Sequence, residues 1–293
     1  MGAYILNEAS DPIDQVSCPA DLRKRPLYCE IVDEKRVRPI KALCHYHFGE
    51  DYPCGLSSCR TTHRNGYLVE TDDGKETNIG YDCGRRYFGA SFQVLVNQLS
   101  ERNRRAATIG TIEKFLLGWP ELDGRIHLMR KDARGTGWAQ STPKAMFSIF
   151  DKFAVPVLND MRMRAQKGNS EVTDSMPFTD AEKDEFKAKY PKQKVPQFRN
   201  VRLGHLEGLK ALITFPDSSL ADIVTMHTQL SLLSLETLTS KELLAWSKKI
   251  GEVERMLAGA RDAIAEAEQF VTDENWKLIC QIADMHKAKC RMH

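Results

Sequence analysis

The strongest hydrophobic pattern in the chain lies near its C-terminal end. It follows Thr239-Ser-Lys-Glu242, a capping box of the kind that begins helices. Apolar side chains then recur alternately three and four positions apart, at Leu243, Trp246, Ile250, Val253, Leu257, Ala260, Ile264, Ala267 and Val271. This spacing predicts a coiled-coil-like helical seam. The stripe resumes at Trp276, and we expect a helical hairpin rather than one interrupted helix, because each half can bury its seam against the other.

Nearer the N-terminus, the pattern is that of short strands. Residues 27–32 and 37–46 are rich in β-branched and aromatic side chains. Residues 66–70 and 76–79 flank Asp72-Asp73-Gly74, which is a strong turn signal. We therefore expect a small β-rich region that contains a hairpin.

Between these regions the helical period dominates. It begins near Cys83 and runs through Phe88, Phe92, Leu95, Val96 and Leu99. Further helices are expected over residues 106–117 and 144–163. Residues 166–204 are polar and proline-containing, which is typical of a linker or mobile insertion. Within them, Thr179-Asp-Ala-Glu182 predicts the start of one helix.

These elements predict an α+β protein that is mostly α. A β-hairpin module precedes a helical body, which ends in an antiparallel helical pair. We divide the chain into five segments: 1–26, irregular; 27–100, a β-rich module with a following helix; 101–165, a helical domain; 166–204, a linker or mobile insertion; and 205–293, a helical hairpin or coiled-coil region.

Composition places the chain among ordinary globular proteins. It has 293 residues, of which 42% are hydrophobic and 28% charged, and its formal net charge is +2. Nucleic-acid binding would therefore need a local basic patch. No apolar run approaches the roughly 18 residues that span a bilayer, and the N-terminus shows no secretory signal. We expect a cytoplasmic protein whose eight cysteines stay reduced, which favours metal ligation where cysteines cluster.

One group of cysteines has the spacing of a metal site. Cys54 and Cys59 enclose a turn that contains Gly55, and Cys83 follows the expected hairpin at the start of a helix. A close pair of ligands lets one turn aim two side chains at a single ion. We expect these three thiols to bind a structural Zn²⁺ ion. The alternative is that they are ordinary buried cysteines.

The identity of the fourth zinc ligand is open at this point. Zinc takes four ligands in a tetrahedron, from thiolates and imidazoles. His63 is the first choice, because it lies four residues after Cys59 and precedes the hairpin. Cys44, His45 and His47 compete for the same position.

The order of turn, β-hairpin and helix resembles the treble-clef superfamily of zinc fingers. The resemblance covers about residues 54–89, and it departs from the usual pattern because the first pair is spaced C-x4-C and the helix offers one cysteine. The block from Cys59 through Ile79-Gly-Tyr-Asp-Cys83 to Phe88-Gly89 also resembles uncharacterised zinc-finger proteins of phages and mobile elements. Both resemblances imply a metal site.

A second group of metal-binding residue types lies at the end of the chain. His286, Cys290 and His293 are spaced so that they share one face of a helix, and Cys280 precedes them. The same face carries Trp276. We therefore favour the end of a core seam over a second metal site.

The residues directly after Cys83 suggest a nucleic-acid contact. They are Arg85, Arg86 and Tyr87. Basic residues on a finger helix can reach phosphates and base edges, and a tyrosine can stack on bases. Acidic neighbours such as Asp72 weaken the patch, and a solvated helix face is the alternative.

Catalytic signatures are thin in the sequence. It contains no phosphate-binding G-x-x-x-x-G-K-[ST] loop, no G-x-S-x-G elbow and no H-E-x-x-H motif, so we do not expect an enzyme. The sequence predicts a zinc-binding, non-enzymatic protein that binds nucleic acid or a nucleoprotein partner. The alternative is a protein–protein adaptor or inhibitor encoded by a phage or mobile element. It would bind a partner or self-associate through its C-terminal helices, with zinc purely structural and no membrane contact.

Overall fold

The chain divides into two compact units, each with its own core. The computed structural model describes residues 16–291, with side chains as far as residue 287. The first unit is Met1–Gly110 and the second is Thr111–His293. A β-hairpin sheet lies in the first unit and a helical body with C-terminal helices follows it, so the predicted α+β, mostly α, fold class is confirmed.

The N-terminal segment, predicted to be irregular, is described without its first fifteen residues. It contains the short helix α1 (Pro19–Arg23), which starts at a proline and buries Leu22. Arg25 then forms an ion pair with Glu76, a buried residue of the sheet. This pair attaches the segment to the sheet.

An antiparallel sheet of three strands forms the centre of the first unit. The strands are β1 (Pro39–Pro53), β2 (Thr62–Thr71) and β3 (Glu76–Gly80), in the order β1-β2-β3. Gly74 lies in the turn between β2 and β3 with φ +79°, a conformation that glycine adopts without strain. The hairpin predicted at Asp72-Asp73-Gly74 is therefore confirmed.

The segment predicted as a first strand, residues 27–32, forms only isolated bridges. Tyr28 pairs with Glu76 of β3, whereas Val32 pairs with Leu56 in the loop after β1. Because the two ends of the segment bond to different partners, no continuous ladder forms between them.

Hydrophobic clusters cover both faces of the sheet. Successive residues of a strand point to opposite faces, and β2 follows this rule. Leu68 lies in one cluster with Tyr46 and Phe48, and Val69 lies in the other with Phe92. All five side chains are buried, and each such side chain contributes roughly 1.5–3 kcal/mol to folding.

Helix α2 (Tyr81–Leu117) begins directly after β3 and contains one break. Gly89 has φ +58° and ψ −132°, which is not helical, so a short helical segment precedes a long one. The periodic residues Phe92, Val96 and Leu99 are buried in a cluster shared with the sheet, as the helical spacing predicts.

The second unit is built mainly from helices around one large core. In chain order they are α3 (Trp119–Lys131), α4 (Thr136–Ala145), a 3₁₀ helix (Met146–Phe153), α5 (Ala154–Lys167), α6 (Asp180–Lys189), a 3₁₀ helix (Leu209–Leu212), α7 (Pro216–Ser231), α8 (Ser240–Gly251), α9 (Val253–Phe270) and α10 (Asp273–Arg291). The core includes Phe147, Met161, Phe270 and Ile279.

Residues 166–204, predicted as a linker or insertion, contain a small sheet as well as the expected helix. Strands β4 (Glu171–Pro177) and β5 (Phe198–His205) pair antiparallel, and α6 lies between them in the chain. The predicted cap of α6 is confirmed, because Thr179 Oγ1 accepts a hydrogen bond from the backbone N–H of Glu182. The strands lack the apolar alternation that would have predicted them.

The predicted C-terminal seam is divided between α8 and α9. Its members Leu243, Leu257 and Ala260 are buried, and Thr239 caps α8 as its capping box predicts. Helix α9 packs mainly against α7, α4 and the 3₁₀ helix Leu209–Leu212, whereas α10 packs against α5, the 3₁₀ helix Met146–Phe153 and β5. The stripe on α9 and α10 is thus covered within the second unit mainly by other elements rather than by its two halves packing against each other. Trp246 and Ile250 of α8 stay partly exposed.

Candidate metal centre

Cys54 and Cys59 lie at the two ends of a tight turn after β1. Backbone hydrogen bonds hold both ends of the turn: the Cys54 N–H donates to Thr61 O at 2.9 Å, and the Cys59 N–H donates to Leu56 O at 3.1 Å. Gly55 lies close to β3, where its N–H donates to Asn78 O at 2.8 Å. These bonds bring both thiols to the same side of the turn.

A buried carboxylate organises the middle of this turn. Glu34 is 6% exposed and accepts hydrogen bonds from the Ser57 hydroxyl at 3.0 Å and from the hydroxyl and backbone N–H of Ser58. The Ser58 hydroxyl bond is the main cause that lowers the pKa of Glu34 to about 2, against the effect of burial. The carboxylate is therefore ionised at neutral pH, and charge-assisted bonds of this kind are stronger than neutral ones.

Cys83 reaches the same place from the first turn of α2. The adjacent Gly84 is required by packing, because a Cβ there would lie 2.3 Å from the ring of Phe92. The end of β3 contributes too, since the Gly80 N–H donates a hydrogen bond to the sulfur of Cys54. Strand end, helix start and turn thus meet at one point.

The three sulfur atoms lie close enough to share one ion. The Sγ atoms of Cys54, Cys59 and Cys83 all lie within 4.8 Å of one another, and those of Cys59 and Cys83 are 3.2 Å apart. Zinc–sulfur bonds of about 2.3 Å in a tetrahedron place sulfur atoms about 3.8 Å apart. The cluster can therefore hold a metal ion with small side-chain adjustments.

The thiols are in an environment that disfavours three negative charges. Burial raises the pKa of Cys54, and burial together with the neighbouring sulfur of Cys59 raises the pKa of Cys83 to about 12. Burial also acts on Cys59, but hydrogen bonds with Thr61, Cys83 and Cys54 together outweigh it and lower the pKa of that thiol. A bound divalent cation would offset the repulsion between the three thiolates. Its binding would displace the protons of the thiols.

His63, the first choice for the fourth ligand, is outside this group of three. It lies at the start of β2, where its Nε2 is 2.6 Å from the Tyr46 hydroxyl and its Nδ1 is 3.3 Å from Thr61 O. Its ring also lies against the backbone of Gly80, whose N–H bonds to Cys54. The histidine therefore neighbours the cluster, and its role as fourth ligand stays a prediction.

The three competing candidates lie along β1. Cys44 is buried in the cluster that contains Tyr46 and Leu68, on one face of the sheet. His45 and His47 are exposed; the ring of His45 packs edge-on against Tyr67. Within residues 16–287, the cysteine group includes none of the three.

The predicted nucleic-acid residues lie one turn beyond Cys83. Arg85 and Arg86 are exposed, and in the described part of the chain neither forms an ion pair. The Arg85 guanidinium lies 5.7 Å from the centre of the Tyr81 ring. Tyr87 is half-buried and packs against the core of the first unit. The two arginines are thus free to meet an anion, and the tyrosine is partly occupied by packing.

The C-terminal group of histidines and cysteines is described only in part. His286 Nε2 lies 3.6 Å from a carboxylate oxygen of Asp160, and Cys280 packs against the helical core. The side chain of Cys290 and all of His293 lie outside the described residues.

Sequence reasoning missed two residues that shape the candidate metal centre. Glu34 lies 24 positions before Ser58, and no motif connects them. Asn78 is fully buried; its side-chain amide donates to Pro53 O at 2.9 Å and its carbonyl accepts from the Tyr28 hydroxyl at 2.7 Å. A polar residue in a five-residue strand was the only signal for Asn78.

Comparison of the chain with protein-family models, with curated proteins and with solved structures gives no match. The function of the candidate metal centre must therefore follow from its own geometry. In the part of the chain that the structure describes, no helix has the length and apolar character needed to cross a membrane.

Proposed function

We propose that Cys54, Cys59 and Cys83 bind a structural zinc ion that stabilises a treble-clef-like module. The observation that carries this proposal is the convergence of three thiols from a turn and a helix start. Thiolate-rich sites are typical of structural zinc, and the fourth ligand would be His63 or another group at the open side. The resemblance to zinc-finger proteins of phages and mobile elements agrees with such a site.

We further propose that the module presents Arg85 and Arg86 to nucleic acid. Both guanidinium groups are exposed beside the metal centre and lack carboxylate partners among the described residues. Two other arginines of the first unit are paired with carboxylates: Arg25 with Glu76 and Arg36 with Asp33. The proposed compartment is the cytoplasm, where reduced thiols stay available for the metal.

The metal is tested by elemental analysis of protein that has never met a chelator. We expect about one zinc ion per chain, and loss of zinc in Cys83→Ser. Cys280→Ser, which removes a half-buried thiol of the second unit, is the matched control and should keep the metal. A zinc-free parent protein, or equal loss in both variants, would contradict the proposal.

The nucleic-acid contact is tested with an Arg85→Ala/Arg86→Ala double variant. Removal of two cations that neutralise phosphates should weaken binding to a labelled oligonucleotide. The slope of log affinity against log salt concentration should become shallower by about 1.4–1.8. The control is Arg255→Ala/Arg261→Ala, which removes two exposed arginines of α9. If the first variant keeps its zinc and binds with unchanged affinity, the arginines do not contact nucleic acid, and the adaptor alternative gains weight.

A further inference from the structure

Residues 171–205 form a separate structural feature that we name the arm. It consists of β4, α6 and β5, and its two strands pair antiparallel along their whole length. Val172, at the base, is fully buried in the core of the second unit. The backbone of Gly204 at the base also approaches Leu278 of α10 so closely that a Cβ would lie 2.8 Å from its side chain. The base of the arm is therefore firmly attached.

Beyond its base, the arm has no core of its own. From residue 173 to residue 205 not one side chain is buried, and α6 buries none. Its internal packing consists of a small aromatic group, in which the Phe186 ring lies 6.1 Å from Phe178 and 5.1 Å from Tyr190. Elements without a core contribute little to the stability of a protein, so a stabilising role does not explain the arm and its exposed surface.

The charge of the second half of the arm is one-sided, whereas residues 171–185 contain six acidic residues and one lysine. Between Glu185 and Glu207 the chain has no acidic residue. It has six basic ones there: Lys187, Lys189, Lys192, Lys194, Arg199 and Arg202. Two of them are neutralised within the arm, because Arg199 pairs with Glu182 at 2.8 Å and Arg202 pairs with Glu171 at 3.5 Å.

The four lysines remain as free cations. All four are exposed, and in the part of the chain described by the structure none of them forms an ion pair. They lie within eight consecutive positions, 187–194, at the C-terminal end of α6 and in the loop after it. Such a cluster of unpaired cations attracts a polyanion, and the attraction is strongest for closely spaced phosphates.

Two exposed aromatic rings flank this loop. Tyr190 is 39% exposed at the end of α6, and Phe198 is 56% exposed at the start of β5. The Lys189 ammonium lies 5.5 Å from the centre of the Tyr190 ring. Alternation of cations with exposed rings is the composition of surfaces that track a nucleic-acid backbone while stacking its bases.

We infer that the tip of the arm, residues 187–198, binds single-stranded nucleic acid. The lysines would contact phosphates, and Tyr190 and Phe198 would stack on unpaired bases. Single strands are favoured over duplexes because only unpaired bases expose a face to the rings. Nucleic acid is favoured over an acidic protein because acidic side chains offer nothing for the rings to stack on. This surface lies in the second unit, so it goes beyond the function proposed for the zinc module and needs no metal.

The first test replaces the four lysines with glutamine in the full chain. The probe is a fluorescein-labelled oligothymidylate of about 20 nucleotides, long enough for one binding site. We expect the variant to bind the oligothymidylate at least about tenfold more weakly. The slope of log affinity against log salt concentration should become shallower by about 0.7 for each phosphate that is no longer neutralised. The control variant changes four exposed lysines outside the arm, Lys167, Lys241, Lys248 and Lys277, to glutamine, which lowers the net charge equally.

The second test separates stacking from charge. A Tyr190→Ala/Phe198→Ala variant should bind the oligothymidylate about tenfold more weakly for each base that no longer stacks, yet bind inorganic polyphosphate like the parent, because polyphosphate has no bases. Circular dichroism checks that the variants remain folded. A duplex of the same length should compete poorly with the single strand.

Several outcomes would overturn the inference. They are equal losses in the lysine variant and its control, unchanged oligonucleotide binding in the aromatic variant, and competition by duplex or by polyglutamate as effective as by the single strand. The Arg85→Ala/Arg86→Ala variant is measured in the same assay. Loss of binding in that variant alone would support the zinc module as the binding surface and reject the arm. Loss of binding in the lysine variant alone would support the arm as the binding surface and reject the zinc module.

Discussion

Among single residues, Gly55 shows how the turn that holds Cys54 depends on a close approach of two backbones. A Cβ added at Gly55 would lie 2.1 Å from Thr77 Oγ1 and 2.9 Å from Asn78 O. Thr77 cannot easily move away, because its hydroxyl donates to Cys29 O at 2.9 Å. The position therefore requires glycine for space rather than for conformation.

We expect Gly55→Ala to destabilise the first unit by about 1–3 kcal/mol and to weaken zinc retention, because the added methyl group overpacks the turn. Thermal unfolding and zinc content of the purified variant measure the two effects. Gly49→Ala is the control, since a Cβ at Gly49 meets nothing within 4 Å. Equal behaviour of the two variants would show that the close approach is not required.

The buried polar residues of β3 show how a short strand can be polar and still lie in the interior. All five residues of β3 are buried. Glu76 pairs with Arg25, the Thr77 hydroxyl bonds to a carbonyl, and Asn78 bonds to Pro53 O and Tyr28. Each polar group has a partner, which offsets the cost of removing it from water.

The raised pKa of Cys83 predicts how the metal-free protein responds to pH. In the unfolded chain this thiol ionises near its ordinary value of 9.0, whereas in the folded chain its pKa is about 12. A pKa raised by folding stabilises the folded state below the unfolded value and loses that contribution as the pH rises. We therefore expect the free energy of unfolding of metal-free protein to fall as the pH rises above about 9.

This pH dependence is measured by urea unfolding of chelator-treated, reduced protein at a series of pH values. Cys83→Ser should lose part of the alkaline decline, because serine does not titrate in this range. A decline of the same steepness in both proteins would assign it to other groups. Zinc-loaded protein should not show the decline, since its thiols are already deprotonated.

Among the helices and strands, helix α2 combines two glycines with different roles. Gly89 breaks the helix at φ +58° and ψ −132°, a combination that side chains with a Cβ rarely adopt. Gly110 lies within the same helix at ordinary φ. Neither position has an atom within 4 Å of an added Cβ, so backbone conformation alone separates them.

We expect opposite effects from the same substitution at these two positions. Gly89→Ala should destabilise the protein by about 1–3 kcal/mol through backbone strain. Gly110→Ala should stabilise it by about 0.5–1 kcal/mol, because alanine loses less conformational entropy in a helix. Chemical denaturation of both variants measures the difference. If the free energy of unfolding changed in the same direction in both variants, the break at Gly89 would not be needed for folding.

Elements with strong local signals could be predicted, and elements formed by distant partners could not. The capping boxes at Thr179 and Thr239 begin helices α6 and α8 as expected, because each depends on residues three positions apart. The pairing of β4 with β5 was not predicted, since the two strands are separated by a helix and have few apolar residues.

In the molecule as a whole, the two units have separate cores. The first unit contains the sheet clusters and the candidate metal centre, and the second contains the large helical cluster around Phe270. If zinc stabilises the first unit, its removal should act on that unit alone. Zinc in finger peptides contributes about 10–16 kcal/mol of binding free energy at neutral pH, which is enough to control folding.

We expect calorimetry to resolve two transitions, of which only one responds to a chelator. The transition of residues 1–110 should move to lower temperature when zinc is removed and return when it is added back. The transition of the second unit serves as the internal control and should not move. A shift of both transitions, or of neither, would contradict a role confined to the first unit.

Features that depend on neighbouring residues could be predicted from the sequence without the structure. These are the hairpin turn at Gly74, the helical periods, the capping boxes and the pattern of Cys54, Cys59 and Cys83. The groups that surround these features became known only from the folded chain. Folding brings Glu34 to the cysteine turn across 24 positions and leaves the four lysines of the arm without carboxylate partners among the described residues. The physical reason is that burial, ion pairing and metal geometry depend on contacts between distant segments, which local spacing does not specify.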